Sequence, residues 1–158
     1  MNMSNNGSAI LGKRKVMIVD DHPIVRRGLA NMIATQADLE VCGEAADVAD
    51  TMQKLDSIRP DVVVIDLSLK TGHGIELIEQ IKSRNEQIKM LVSSMHDETL
   101  FAERALRAGA MGYITKQEPI ENLLDAIRQV LRGEIYLSAR MTGRLLRHVQ
   151  GGRAVDED

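Results

Sequence analysis

Five residues in this sequence could act together on a phosphorylated group: Asp20, Asp21, Asp66, Ser94 and Lys116. Asp66 ends the run Asp61-Val62-Val63-Val64-Ile65-Asp66, four β-branched apolar residues between two acids. Such a run reads as a strand buried on both faces, the usual state of a central strand in a parallel sheet. A carboxylate where that strand emerges is a metal ligand, a nucleophile or a helix cap, and chemistry in open α/β sheets collects at this rim. Asp20-Asp21 follow Val16-Met17-Ile18-Val19, Ser94 follows Ile88 to Val92, and Lys116 follows Met111 to Ile114. All five therefore fall at strand ends, on one rim of a parallel sheet. Three carboxylates there repel one another unless a cation compensates. Oxygen ligands without Cys or His favour Mg²⁺. A hydroxyl and an ammonium suit phosphoryl oxygens. The set suits phosphoryl transfer onto a carboxylate, which depends on positioning and charge neutralisation.

Taken singly, each residue has a plainer reading. Asp20 or Asp21 could cap the helix that His22-Pro23 opens. Ser94 could bond its own backbone, and Lys116 could be a solvated charge. Their shared rim is what favours the chemical reading.

The elements that must position them alternate. Residues 15–19 read as the first strand. A helix follows with Val25, Leu29, Met32 and Ile33 on one face, and Gly28 within it. Leu39 to Ala45 alternates like a strand near a sheet edge. Val48, Met52, Leu55 and Ile58 mark a second helix, stopped by Pro60. Strand 61–66 is followed by a loop to His73. Ile75, Ile78 and Ile81 give the third helix, and 88–92 the fourth strand. Leu100-Phe101, Ala105 and Leu106 give the fourth helix, with Gly109 as its C-terminal cap. Residues 111–114 form a fifth strand. Pro119 opens a fifth helix with Ile120, Leu123, Leu124, Ile127, Val130 and Leu131 on its face, closed by Gly133. Five strands alternating with five helices imply βαβ units: an α/β fold with a doubly wound, five-stranded parallel sheet of flavodoxin-like (βα)5 type. After it, Ser138 can cap one more helix carrying Met141, Leu145 and Val149, with Arg140, Arg144 and Arg147 on its other side. Gly151-Gly152 is expected to break that helix. The division expected is a disordered leader over 1–13, one domain over 14–133, and a linker helix with an acidic tail over 134–158.

Composition narrows the function classes. The chain has 158 residues, 44% hydrophobic and 27% charged, with a formal net charge of −3, so no general attraction to nucleic acid or anionic lipid is implied. Two tyrosines and one phenylalanine offer no stacking platform for single strands. A single cysteine, Cys42, excludes a disulfide framework and reads as a structural thiol. The leader holds only Ala9-Ile10-Leu11 as an apolar run, too short for a signal core or a membrane span. A cytoplasmic location without membrane contact is the default.

The chain resembles the receiver domain of bacterial two-component response regulators. The resemblance lies in Val16-Met17-Ile18-Val19-Asp20-Asp21-His22-Pro23, Val64-Ile65-Asp66-Leu67, Ser94-Met95-His96-Asp97, Arg107-Ala108-Gly109-Ala110-Met111-Gly112-Tyr113 and Lys116. It covers essentially 14–133. The Asp-Asp-His-Pro start, the Ala-Gly-Ala-x-Gly-Tyr run and the Tyr-Leu-Ser tail are similar to the LuxR/NarL branch, whose full-length members carry a C-terminal helix-turn-helix. The resemblance implies that Asp66 accepts phosphate from a sensor histidine kinase. It implies that Asp20, Asp21, Asp66 and the backbone carbonyl of Ser68 hold Mg²⁺. Ser94 and Lys116 would then meet phosphoryl oxygens, and Tyr113 would be the switch aromatic answering to Ser94. It also implies a switch rather than an enzyme with its own substrate, one that phosphorylates itself and slowly loses the phosphate.

A homodimer on phosphorylation is implied too, through the fourth and fifth helices or through the first and last. DNA would be reached only through a C-terminal domain that these 158 residues lack; a stand-alone receiver acting by protein contacts is the alternative. Two departures from the family pattern stand out. Leu69-Lys70-Thr71-Gly72-His73-Gly74 replaces the common Met-Pro-Gly, placing extra cations at Lys70 and His73. Gln117 follows Lys116 where the family often has a cis proline. His22, His73 and His96 read as loop residues. A haloacid-dehalogenase-type phosphatase would need a second Asp where Ser68 stands. A nucleotide-binding module would need a phosphate cradle where Asp20-Asp21 would repel phosphate. A degenerate receiver is disfavoured by the intact five-residue set.

Overall fold

In a computed structural model, which describes residues 12–66, 74–95 and 99–157, the strands and helices alternate as the apolar patterns require. The strands are β1 (Arg14–Val19), β2 (Leu39–Ala45), β3 (Val62–Asp66), β4 (Lys89–Ser94) and β5 (Gly112–Thr115). The helices are α1 (Pro23–Ala34), α2 (Val48–Ile58), α3 (Gly74–Arg84), α4 (Thr99–Ala108), α5 (Ile120–Leu131) and α6 (Ala139–Glu157).

The sheet is parallel throughout, in the order β2-β1-β3-β4-β5. Every residue of β3 is buried, as a strand between two neighbours and two helical layers must be. Its register sets Asp66 beside Ser93, and Ser94 beside Thr115. Helices cover both faces and close two apolar clusters. One gathers Met17, Val63, Ile65, Leu77, Ile78, Ile81 and Met90. The other gathers Val16, Ile18, Val62, Val64, Leu124 and Ile127. Alternate β3 residues thus point to opposite layers.

Local signals place the helix ends. Asp47 caps α2 by accepting from the Asp50 N–H at 2.8 Å, while Asp50 accepts from the N–H of Ala46, the residue before the cap. Gly109 follows α4 at φ 128°, and Ala110 N–H reaches back to the Ala105 carbonyl at 3.0 Å; a side chain resists that backbone. Ser138 accepts from the Met141 N–H at 3.0 Å and opens α6.

Several expectations are corrected. Val25 and Met32 of α1, and Leu100 of α4, are exposed; Ala30 and Ile33 carry the burial of α1. The fourth strand runs on to Ser94, because its last two residues still pair with β3 and β5. Helix α6 continues through Gly151-Gly152 to Glu157; glycine weakens a helix without forbidding it. Its apolar stripe is buried at Met141 and packed at Leu145, but Val149 is exposed. Neither Asp20 nor Asp21 caps α1: His22 is the N-cap, without a side-chain cap bond.

Candidate functional site

The carboxyl ends of β1, β3, β4 and β5 bring Asp20, Asp21, Asp66, Ser94 and Lys116 to one rim. Lys116 joins the parts. Its Nζ donates to Asp66 Oδ2 at 3.0 Å and to Asp20 Oδ2 at 3.2 Å, while its backbone N–H donates to the Ser94 carbonyl at 2.7 Å. Asp66 and Ser94 are almost wholly buried, at 2% and 0% exposure. Buried carboxylates need compensation, and one ammonium bridges two of them.

The electrostatics follow from this geometry. Burial opposes ionisation of Asp20, but the His22 backbone N–H (2.9 Å) and the Lys116 charge outweigh it. The Asp20 carboxyl is held below its ordinary value. Burial likewise opposes the Lys116 charge, and the hydrogen bond and charge of Asp66, then Asp20, reverse this and raise it.

Asp20, Asp21, His22 and Asp66 each offer one ligand atom, all within 4.8 Å of one another. The donor set is mainly carboxylate oxygen, partly buried, and the Lys116 ammonium reaches two of its three acids. It fits a hard divalent cation. His22 was not anticipated as part of this cluster. Its Nδ1 lies 2.9 Å from Asp21 Oδ1 and 3.1 Å from Asp20 Oδ1. Adjacency to the acidic pair was the available signal. Arg26, also unforeseen, donates through its guanidinium to the Asp20 backbone carbonyl and to Glu44. It fixes the turn that aims Asp20.

Tyr113 lies in β5, buried at 1% exposure, within the apolar cluster that includes Ala102, Ala105 and Met141. Ser68, Lys70, His73 and His96 lie outside the described residues. The described peptide bonds include no cis bond, consistent with Gln117 after Lys116. Cys42 is half-buried, and burial pushes its thiol up to about 11, which disfavours the nucleophilic thiolate at neutral pH.

A mostly apolar cavity of about 370 Å³ opens between α1 and α5 beside Val25, Leu29, Met32 and Ile120, with Asp20, Asp66 and Lys116 at one end. Sequence periodicity did not reveal it, because it depends on how far two helices stand apart.

Residues 16–128 match the family model described as the response regulator receiver domain. The chain belongs to that family. It is 38% identical over 133 residues to the oxygen regulatory protein NreC of Staphylococcus haemolyticus, covering 84% of this chain and 61% of that protein. The NreC of Staphylococcus epidermidis is 35% identical over 144 residues, 90% of this chain and 66% of that one. The chain thus spans under two thirds of the length of these curated relatives. Among solved structures, a LuxR-family response regulator from Aurantimonas sp. SI85-9A1 superposes with a TM-score of 0.81 at 34% identity, covering 86% of this chain and 97% of that one. The isolated receiver domain of RcsB from Salmonella enterica serovar Typhimurium, solved with the phosphomimetic BeF3−, gives 0.75 at 27% identity, with 84% and 98% coverage. The chain is a receiver domain of the LuxR/NarL type. Among its described residues no helix is long and apolar enough to cross a membrane.

Proposed function

We propose that Asp66 is a phospho-acceptor and that the domain is a signalling switch driven by a sensor histidine kinase. The observation that carries this reading is the Lys116 ammonium at hydrogen-bond distance from Asp66 and Asp20 on one buried rim. In the reaction, an Asp66 carboxylate oxygen forms a bond to phosphorus. The bond from phosphorus to the kinase imidazole nitrogen breaks, and its electron pair returns to the imidazole. Asp20, Asp21, Asp66 and the Ser68 carbonyl would hold Mg²⁺, which supplies positive charge for the phosphoryl oxygens. Lys116, freed from one carboxylate oxygen, pairs with a phosphoryl oxygen. The Ser94 hydroxyl donates to another. Burial of Asp66 at the end of β3 limits water and slows hydrolysis of the acyl phosphate.

New charge at Asp66 then biases Ser94, Tyr113 and α4, a local electrostatic change with a wider readout. The LuxR/NarL relationship supports transcriptional output through a DNA-binding domain outside these 158 residues; one related RcsB structure is bound to a promoter. A homodimer formed on phosphorylation belongs to the same reading. The exposed apolar Ile24, Val25 and Met32 of α1 support a face that includes the first helix.

The test is intact-mass analysis after incubation with phosphoramidate and Mg²⁺. The wild type should gain one phosphoryl group, labile to hydroxylamine. Asp66→Asn should gain none. Equal modification of both proteins would move the acceptor elsewhere.

A further inference from the structure

Helix α6 is tied to the domain at two places, and both lead toward the candidate switch. At its base, Tyr136 forms an isolated parallel bridge with Gly112 on the free edge of β5. The Tyr113 backbone N–H donates to the Tyr136 carbonyl at 3.1 Å, and the Tyr136 N–H donates to Met111 at 3.0 Å. Further along, Met141 is 2% exposed and Leu145 packs beside it, in the cluster that holds Tyr113, Ala102 and Ala105. His148 Nε2 lies 3.0 Å from Glu103 Oε1 on α4. Glu103 Oε2 holds Arg107 at 2.7 Å.

The docking is small. On the described part of α6, Leu146 and Val149 are exposed at 62% and 50%, and Met141 and Leu145 are the apolar side chains that seat the helix. Glycines at 143 and 151 weaken the helix by itself. An isolated helix of this length and composition is marginal in water, so its order depends on the surface beneath it. That surface is α4 and the β5 edge, the two elements that follow Ser94.

We propose that α6 is a displaceable clasp occupying the α4–β5 face, and that charge gained at Asp66 loosens it. The coupling half of this rests on the reading of Asp66 given above. Tyr113 links the two attachments: its backbone holds Tyr136, and its side chain shares a cluster with Met141. A shift of Tyr113 or α4 disturbs both attachments together. Released, α6 uncovers the apolar seat of Met141 and Leu145 beside Ala102 and Ala105 of α4. Because linkage is reciprocal, loosening the clasp tightens binding of a phosphoryl mimic at Asp66 by the same factor.

The test is hydrogen exchange of residues 139–151 in the whole chain, with Mg²⁺, with and without beryllofluoride. Exchange there should accelerate about tenfold when beryllofluoride binds, and should not respond in Asp66→Asn. Leu145→Asp should accelerate it without any ligand and tighten beryllofluoride binding. Glu103→Gln, which leaves the apolar core intact, should do the same to a smaller extent. Leu146→Asp, on the exposed side, should leave both quantities unchanged. Beryllofluoride responses at Ser94 and Tyr113 with 139–151 still protected would overturn the clasp and leave the phospho-acceptor reading standing. Unchanged protection in Leu145→Asp would also overturn it. No response anywhere would overturn the reading of Asp66, and the coupling with it.

Discussion

The Lys116 ammonium lies 3.0 Å from Asp66 Oδ2, although the two residues are 50 positions apart and stand at the carboxyl ends of strands separated by β4. That contact balances a carboxylate buried at the centre of the sheet rim. Replacing Lys116 by Met should destabilise the metal-free protein by about 2 kcal/mol at neutral pH, since an unpaired buried charge is costly. Urea unfolding measures it. The pH dependence has a definite sign. The Asp20 carboxyl is depressed below its ordinary 3.8, so its share is present above that pH and lost as pH falls through the depressed value. The Lys116 value is raised above 10.5, so its share is present below that and lost as pH rises through the raised value. The gap between variant and wild type should therefore close in acid and in strong base.

Added Mg²⁺ should stabilise the wild type, by about 2.7 kcal/mol at a hundred times its dissociation constant. Thermal melts with Mg²⁺ against a chelator read this out. Asp20→Asn should lose most of the gain. Asp38→Asn, whose partner is Arg128 on the far rim, should keep it.

Arg128 binds Asp38 with two nitrogens, at 2.8 and 3.0 Å, and reaches Gln36 at 2.7 Å. The fork ties α5 to the segment between α1 and β2. Lysine cannot reproduce it. Arg128→Lys should cost about 0.5–1 kcal/mol, modest because Asp38 is half-exposed. The hydrogen bond to Arg128 depresses the Asp38 carboxyl, so the difference should fade as pH drops below the ordinary 3.8.

Two glycines should respond oppositely to alanine. At Gly112 a Cβ would lie 2.9 Å from Leu91 Cδ1 and 3.1 Å from the Tyr136 backbone oxygen. Gly112→Ala should cost about 1–3 kcal/mol and loosen the Tyr136 bridge. At Gly28, inside α1, a Cβ meets nothing within 4 Å. Gly28→Ala should gain about 0.5–1 kcal/mol. Chemical denaturation of both variants gives the signs.

The inner strands were legible because burial on both faces writes unbroken apolar runs, and Val62-Val63-Val64-Ile65 has no other comfortable home. Their ends were legible because the polar residue after each run has to lie on the rim. That is why Asp20, Asp66 and Lys116 could be grouped before any geometry was known. Helix faces were read less well. The spacing of Val25 and Met32 suits burial, but the gap between α1 and α5 leaves them exposed. Leu100 fails for a related reason: it sits in the first turn of α4, beyond the reach of the core. His22 joined the acidic cluster through a side-chain direction that spacing does not specify. The hold on α6 was half-visible: Met141 and Leu145 lay on a stripe, but their seat beside α4 and the bridge from Tyr136 to β5 are tertiary facts.

The most direct test of Asp66 as the switch is beryllofluoride titration followed by amide NMR, with and without Mg²⁺, on the wild type and Asp66→Asn. Mg²⁺-dependent shifts at Asp66, Ser94 and Tyr113, absent from the substituted protein, are expected. Unmoved resonances at saturating beryllofluoride and Mg²⁺ would contradict a phospho-acceptor at Asp66.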